Sequence, residues 1–100
     1  MLVTCPDRPI ANKLADSLVR QRLAACVNVI PGIRSVFRWQ GKLDRCSEVL
    51  LLIKTQRRIF DKLRRAIRKQ HPYDTPEIIA VALAAGDSQY LKWVSEAVSK

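Results

Sequence analysis

Apolar and polar residues alternate along this chain with two different periods, and the changes of period mark its elements. Leu2 to Thr4 read as a short strand, which Pro6-Asp7 breaks. Asp7 can cap the next element, with Arg8 and Pro9 in its first turn. Ile10, Ala11, Leu14, Ala15, Leu18 and Val19 recur at helical spacing, and Asn12, Lys13, Asp16, Arg20 and Gln21 take the other face. This predicts an amphipathic helix ending near Leu23. The stretch AACVNVIPGIRSVFRW is rich in β-branched and aromatic residues. A proline inside a strand belongs on an edge or at a bulge, so Pro31-Gly32 makes this one long, bent strand from about Ala25 to Trp39. Gln40-Gly41-Lys42 supplies a turn, and a return strand runs through SEVLLLIKT, residues 47 to 55. Its apolar run Val49 to Ile53 suits a strand buried on both faces.

A second helix is expected from about Arg57 to Gln70, with Ile59, Phe60, Leu63, Ala66 and Ile67 as its apolar stripe. The connector HPYDTPE follows. Residues before proline avoid the helical region, so His71 and Thr75 are pushed towards extended geometry and Pro72 stops the helix. EIIAVALAA then reads as a strand, and Gly86-Asp87-Ser88 ends it and caps a last helix with apolar positions Tyr90, Leu91, Val94 and Val98. The order β-α-β-β-α-β-α, over one domain of residues 1–100, is the ferredoxin-like βαββαβ pattern of the α+β class plus a C-terminal helix. An antiparallel four-stranded sheet with both main helices on one face is the expected product. A core of this size is modest, and oligomerisation is one way to bury more.

Charge changes this picture less than its size suggests. Eighteen Lys and Arg against nine Asp and Glu leave a formal +9, which suits nucleic acid, anionic membrane, acidic ligands or simply a solvated surface. Cys5, Cys26 and Cys46 are an odd number without CxxC spacing, so reduced thiols in a cytoplasmic protein are the simplest reading. MLVTCPD is too short and polar for a signal peptide, and no apolar run reaches the length of a membrane span.

Catalytic signatures are absent: there is one histidine and no GxSxG, Walker or dinucleotide-binding motif, so an enzyme is not expected. Eight basic residues and one acid, Asp61, lie between Lys54 and Lys69, and Arg58, Lys62, Arg65 and Lys69 share one helical stripe. A ferredoxin-like RNA binder carries stacking aromatics on its sheet, and residues 47 to 55 have none, so nucleic acid is not the expected partner. The same helix needs its apolar stripe for the sheet, which argues against membrane binding. Zinc or copper wants several soft or borderline donors. His71 qualifies, with Asp74 and Glu77 as oxygen donors, and neighbouring subunits could complete such a set. Phe37 and Trp39 face one side of the long strand; Phe37 suits packing, and Trp39 equally suits the wall of a cleft.

LAACVNVIPGIRSVFRWQGKL, LLIKT, HPYDTPEII and the terminal YLKWV together resemble the CutA family of divalent-cation tolerance proteins, over essentially the whole chain. The resemblance implies the ferredoxin-like fold and a tight homotrimer similar to PII signalling proteins, with residues 27 to 54 pairing with a neighbour. It also implies binding of a divalent metal ion such as copper or zinc, without an organic cofactor, in inter-subunit clefts. The metal ligands it implies are His71, Glu77 and a first-strand cysteine. Val3 stands at that cysteine's position, and Cys5, two residues on, is the substitute on the same face of a continuous strand. Trp39, Lys54 and Tyr73 are the candidate cleft residues, supplying an aromatic wall, a cation and a hydroxyl. A PII-like small-molecule trimer with incidental metal binding is the alternative, and a basic nucleic-acid module the third reading.

Overall fold

The computed structural model describes residues 1–99. Its elements are β1 (Leu2–Cys5), α1 (Arg8–Arg20), β2 (Cys26–Trp39), β3 (Lys42–Lys54), a 3₁₀ turn (Arg57–Ile59) running into α2 (Phe60–Gln70), β4 (Ile78–Ile79) and α3 (Ser88–Ala97). The strands form one antiparallel sheet in the order β2-β3-β1-β4. Both expected caps are made: the Asp7 carboxylate accepts from Ile10 N–H at 3.0 Å, and that of Asp87 from Tyr90 N–H at 3.2 Å.

Pairing alternates faces along the sheet. Val3 and Cys5 lie opposite Leu51 and Val49, and these four side chains are buried under the helices with Ile53. Leu14 and Leu18 of α1, Leu63 and Ile67 of α2, Val94 of α3 and Val98 just after it join this one core. Leu50 and Leu52 point the other way and stay half-buried. The strand expected to be buried on both faces is therefore fully covered on one face only. Tyr90 and Leu91, expected to pack inward, are exposed as well.

The hairpin of β2 and β3 outgrows the rest of the sheet. Its register shifts between Ile30 and Ile33, where Pro31-Gly32 oppose Val49 alone, the bulge that proline requires. Beyond it, residues 33–39 and 42–48 pair only with each other and form an arm, closed by Gln40 and Gly41, both at positive φ. The arm stretches the molecule to 45 × 27 × 22 Å and exposes Val36, Phe37, Trp39 and Leu43. The return strand starts five residues earlier than expected, because pairing with β2 rather than burial holds Lys42 to Ser47 extended. The fourth strand is shorter than expected. Ile78 and Ile79 pair with Val3 and Leu2, after which Val81 and Leu83 have no partner strand and are exposed.

Helix α1 stops at Arg20, three residues before the expected end, because Arg22 takes a left-handed conformation (φ 59°). Leu23 N–H then bonds to Leu18 C=O and Arg22 N–H to Val19 C=O, the Schellman closure, with arginine where glycine is usual. Arg22 also closes α3: its guanidinium donates to the carbonyls of Ala97 (3.2 Å) and Glu96 (2.9 Å), and its own carbonyl accepts from Ser99 N–H (2.8 Å). Those bonds hold the residue in a conformation its side chain disfavours. Arg22→Ala is expected to lower unfolding free energy by about 1–2 kcal/mol in urea titration. Arg22→Gly is expected to lose less, since glycine relieves the backbone strain.

Candidate functional site

The connector after α2 is built as a latch. His71 ends the helix in an extended conformation (φ −81°, ψ 133°), as the following proline demands, and its N–H still bonds to Ile67 C=O. Its buried ring reaches the end of β1, with Nε2 2.7 Å from Thr4 C=O. Nδ1 accepts from Tyr73 N–H at 3.2 Å, so Nδ1 carries no proton and Nε2 donates to the carbonyl. The Tyr73 ring tilts over the imidazole at 4.8 Å, and its hydroxyl donates to Glu48 Oε2 at 3.0 Å. Arg68 ties the loop back to α2 through Asp74 C=O at 3.3 Å. The loop thus joins β1, β3 and α2.

The Glu48 carboxylate also acts on two thiols. Burial, reinforced by Glu48 and Asp7, pushes the Cys5 thiol up to about 11 from 9.0. Partial burial and the Glu48 carboxylate raise Cys46 too. Tyr73 is raised by burial first and then by its hydrogen bond to Glu48. The shifts keep the two thiols and the phenol protonated at neutral pH, so these are not activated nucleophiles.

Of the metal candidates, His71 has both ring nitrogens engaged, Cys5 is wholly buried in the core, and Glu77 is exposed ahead of β4. Val3 and Cys5 do share a face, as a continuous strand requires, but that face is the core. Among the described residues, no three of His, Cys, Asp and Glu converge as a metal set. Within this chain these residues therefore do not fit a metal ion. The cleft candidates are also apart. Trp39 pairs with Lys42 at the arm's tip, and Lys54 lies at the far end of β3, about 40 Å away at strand spacing. Tyr73 sits between them, on Glu48. Glu48 and Cys46 were not among the expected site residues. The one available signal was an acid at the head of an apolar strand run.

A four-stranded antiparallel sheet backed by helices, with a long hairpin arm and a histidine latch, defines a small α+β protein class. The chain belongs to the CutA1 divalent ion tolerance protein family, whose model matches residues 1–97. It is 45% identical over 96 residues to the divalent-cation tolerance protein CutA of Thermus thermophilus, spanning 96% of this chain and 93% of that one. It is also 45% identical over 94 residues to the human protein CutA, of which it spans only 52%. Two solved structures superpose closely: the Thermus thermophilus protein with TM-score 0.96 at 44% identity, and CutA1 of Oryza sativa with TM-score 0.96 at 39%. These cover 98% and 99% of this chain, and 95% and 91% of theirs.

Removing the latch leaves Thr4 C=O and Tyr73 N–H without partners. His71→Ala is expected to cost about 3 kcal/mol in chemical unfolding, while Tyr73→Phe costs about 1 kcal/mol. For Cys5, the folded state holds a proton that the unfolded thiol loses first. Its contribution is fully present below pH about 9 and is lost as pH rises to about 11. Stability measured against pH should fall across that window by up to about 3 kcal/mol more in the natural chain than in Cys5→Val.

Proposed function

We propose that this protein acts in tolerance of divalent cations, as the names of its relatives describe, and that it does so as a homotrimer holding its ligand in clefts between subunits. The observation that carries this reading is the arm. The outer edge of the fourteen-residue β2 has no partner strand among the described residues, and Val36, Trp39 and Leu43 are exposed towards the arm's tip, while Val81 and Leu83 are exposed beyond the opposite edge strand. Long apolar edges are aggregation sites unless something covers them, and a neighbour's strands do so at no extra chain length. The strand order β2-β3-β1-β4 supports the ferredoxin-like βαββαβ description, with α3 as the added helix.

A divalent ion such as copper or zinc is cargo in this reading, met by exposed groups such as Glu77 together with donors from a neighbour. Trp39, Lys54 and Tyr73 come together only if subunits do. No organic cofactor and no catalytic step enter it, and three free thiols suit the reducing cytoplasm. A second reading, a PII-like trimer that binds a small molecule with metal incidental, is favoured by one observation: the only imidazole has no lone pair to give.

Light scattering should return three times the subunit mass; a monomer overturns every inter-subunit site. Calorimetric titration with Cu²⁺ or Zn²⁺ should give heats that Glu77→Gln reduces several-fold. If Glu77→Gln changes nothing while a metabolite screen by thermal shift finds a stabilising ligand, the small-molecule reading replaces the metal one.

A further inference from the structure

Residues 57–70 carry seven cations and one acid, so six of the chain's nine net positive charges sit on one short element. The acid is already taken: Arg64 holds Asp61 at 3.1 Å. Arg58 and Arg68 reach only neutral acceptors, Gln56 Oε1 at 3.0 Å and Asp74 C=O at 3.3 Å. Among the described residues the other ion pair is Lys92–Glu96, on α3. Arg58, Lys62, Arg65 and Lys69 are all exposed, and their spacing of four, three and four lines them along one face, about 16 Å from end to end. The opposite face, Leu63 and Ile67, is fully buried.

This arrangement works against the helix that carries it. Arg57 and Arg58 stand at its positive N-terminal end, and like charges recur three and four residues apart along its whole length. A local choice that conflicts with the element's own stability marks a surface kept for something else.

We infer that the outer face of α2 binds the phosphate backbone of double-stranded nucleic acid without reading its sequence. A straight row of four cations matches a line of phosphates and not a single anion, and four of the six exposed cations of α2 and its leading turn are arginines, whose planar fork pairs with phosphate. The stripe has no aromatic to stack on unpaired bases, which favours a duplex over a single strand. It has no exposed apolar neighbour on the helix to enter a bilayer, since Leu63 and Ile67 are in the core. Binding here needs neither the loop latch nor the arm.

The test is fluorescence anisotropy of a labelled DNA duplex of about 20 base pairs with the full chain. Four phosphate contacts give a slope of about −3.6 in log affinity against log salt, a loss of about a hundredfold between about 50 and 200 mM. The variant R58Q/K62Q/R65Q/K69Q should lose most of that slope and at least about tenfold in affinity at the lower salt. R65Q/K69Q should lose about half the slope. The charge-matched control R8Q/K42Q/R45Q/K92Q should keep its slope. Circular dichroism should find the first variant folded with a melting temperature at or above that of the natural chain, because repulsion along α2 is relieved. Equal losses in both fourfold variants would reduce the effect to net charge. No binding to the duplex near 50 mM salt, or binding only to vesicles rich in phosphatidylserine, would overturn the inference in favour of solvated cations or of lipid.

Discussion

β3 offers thirteen residues for pairing, and β1, its inner neighbour, offers four. The rest of the molecule follows from that mismatch. Where β1 lies beside it, from Val49 to Leu52, β3 is a central strand, and the helices pack their apolar stripes over it. Where β1 stops, β3 keeps only β2 for company and leaves the body as a two-stranded ribbon. Such a ribbon has no helix to cover it and no third strand to stiffen it, so its apolar residues face solvent on both sides. The Pro31-Gly32 bulge falls at this boundary, opposite Val49, and re-aims β2 as it leaves the sheet.

The latch loop occupies the same boundary. Cys5, the last residue of β1, pairs with Val49, so Glu48 is the first residue of β3 without a β1 partner. Tyr73 fills that position with a hydroxyl, and His71 takes the carbonyl of Thr4 just before it. The loop thus finishes the sheet with side chains where backbone pairing has ended. A histidine used in this way is a structural member, with its tautomer fixed by the two groups it joins. That is the reason its presence beside a carboxylate and a thiol does not by itself amount to a metal site.

The parts of this fold that were legible in the sequence are those whose cause is local. Asp7 and Asp87 announce helix starts because their carboxylates bond to amides three residues on, and Pro31 announces a bulge because it lacks a donor. Parts with a distant cause were hidden. Nothing near Arg22 marks a helix end, since the carbonyls that hold it lie 74 and 75 residues away. Glu48 and Tyr73 are 25 residues apart, and neither shows its partner. EIIAVALAA has strand composition throughout, yet only its isoleucines meet a strand, because pairing depends on a partner's length and not on propensity. For the candidate site, the loop's stiffness was readable from its two prolines, whereas the occupancy of both imidazole nitrogens was not.

Arg22 has one further consequence. Helix α3 and its C-cap add Val94 and Val98 to the core, with Ala97 packed against it, so its docking is among the weaker parts of the molecule. The residue that terminates α1 is also the one that grips the last turn of α3, so fraying of either end breaks bonds that hold the other. Amides at the end of α1, from Gln21 to Ala24, should exchange with solvent at the pace of the C-terminal helix, although they sit against the central core. The end of the first helix and the last turn of α3, far apart in sequence, are thus joined through one residue, by its guanidinium and by its own carbonyl.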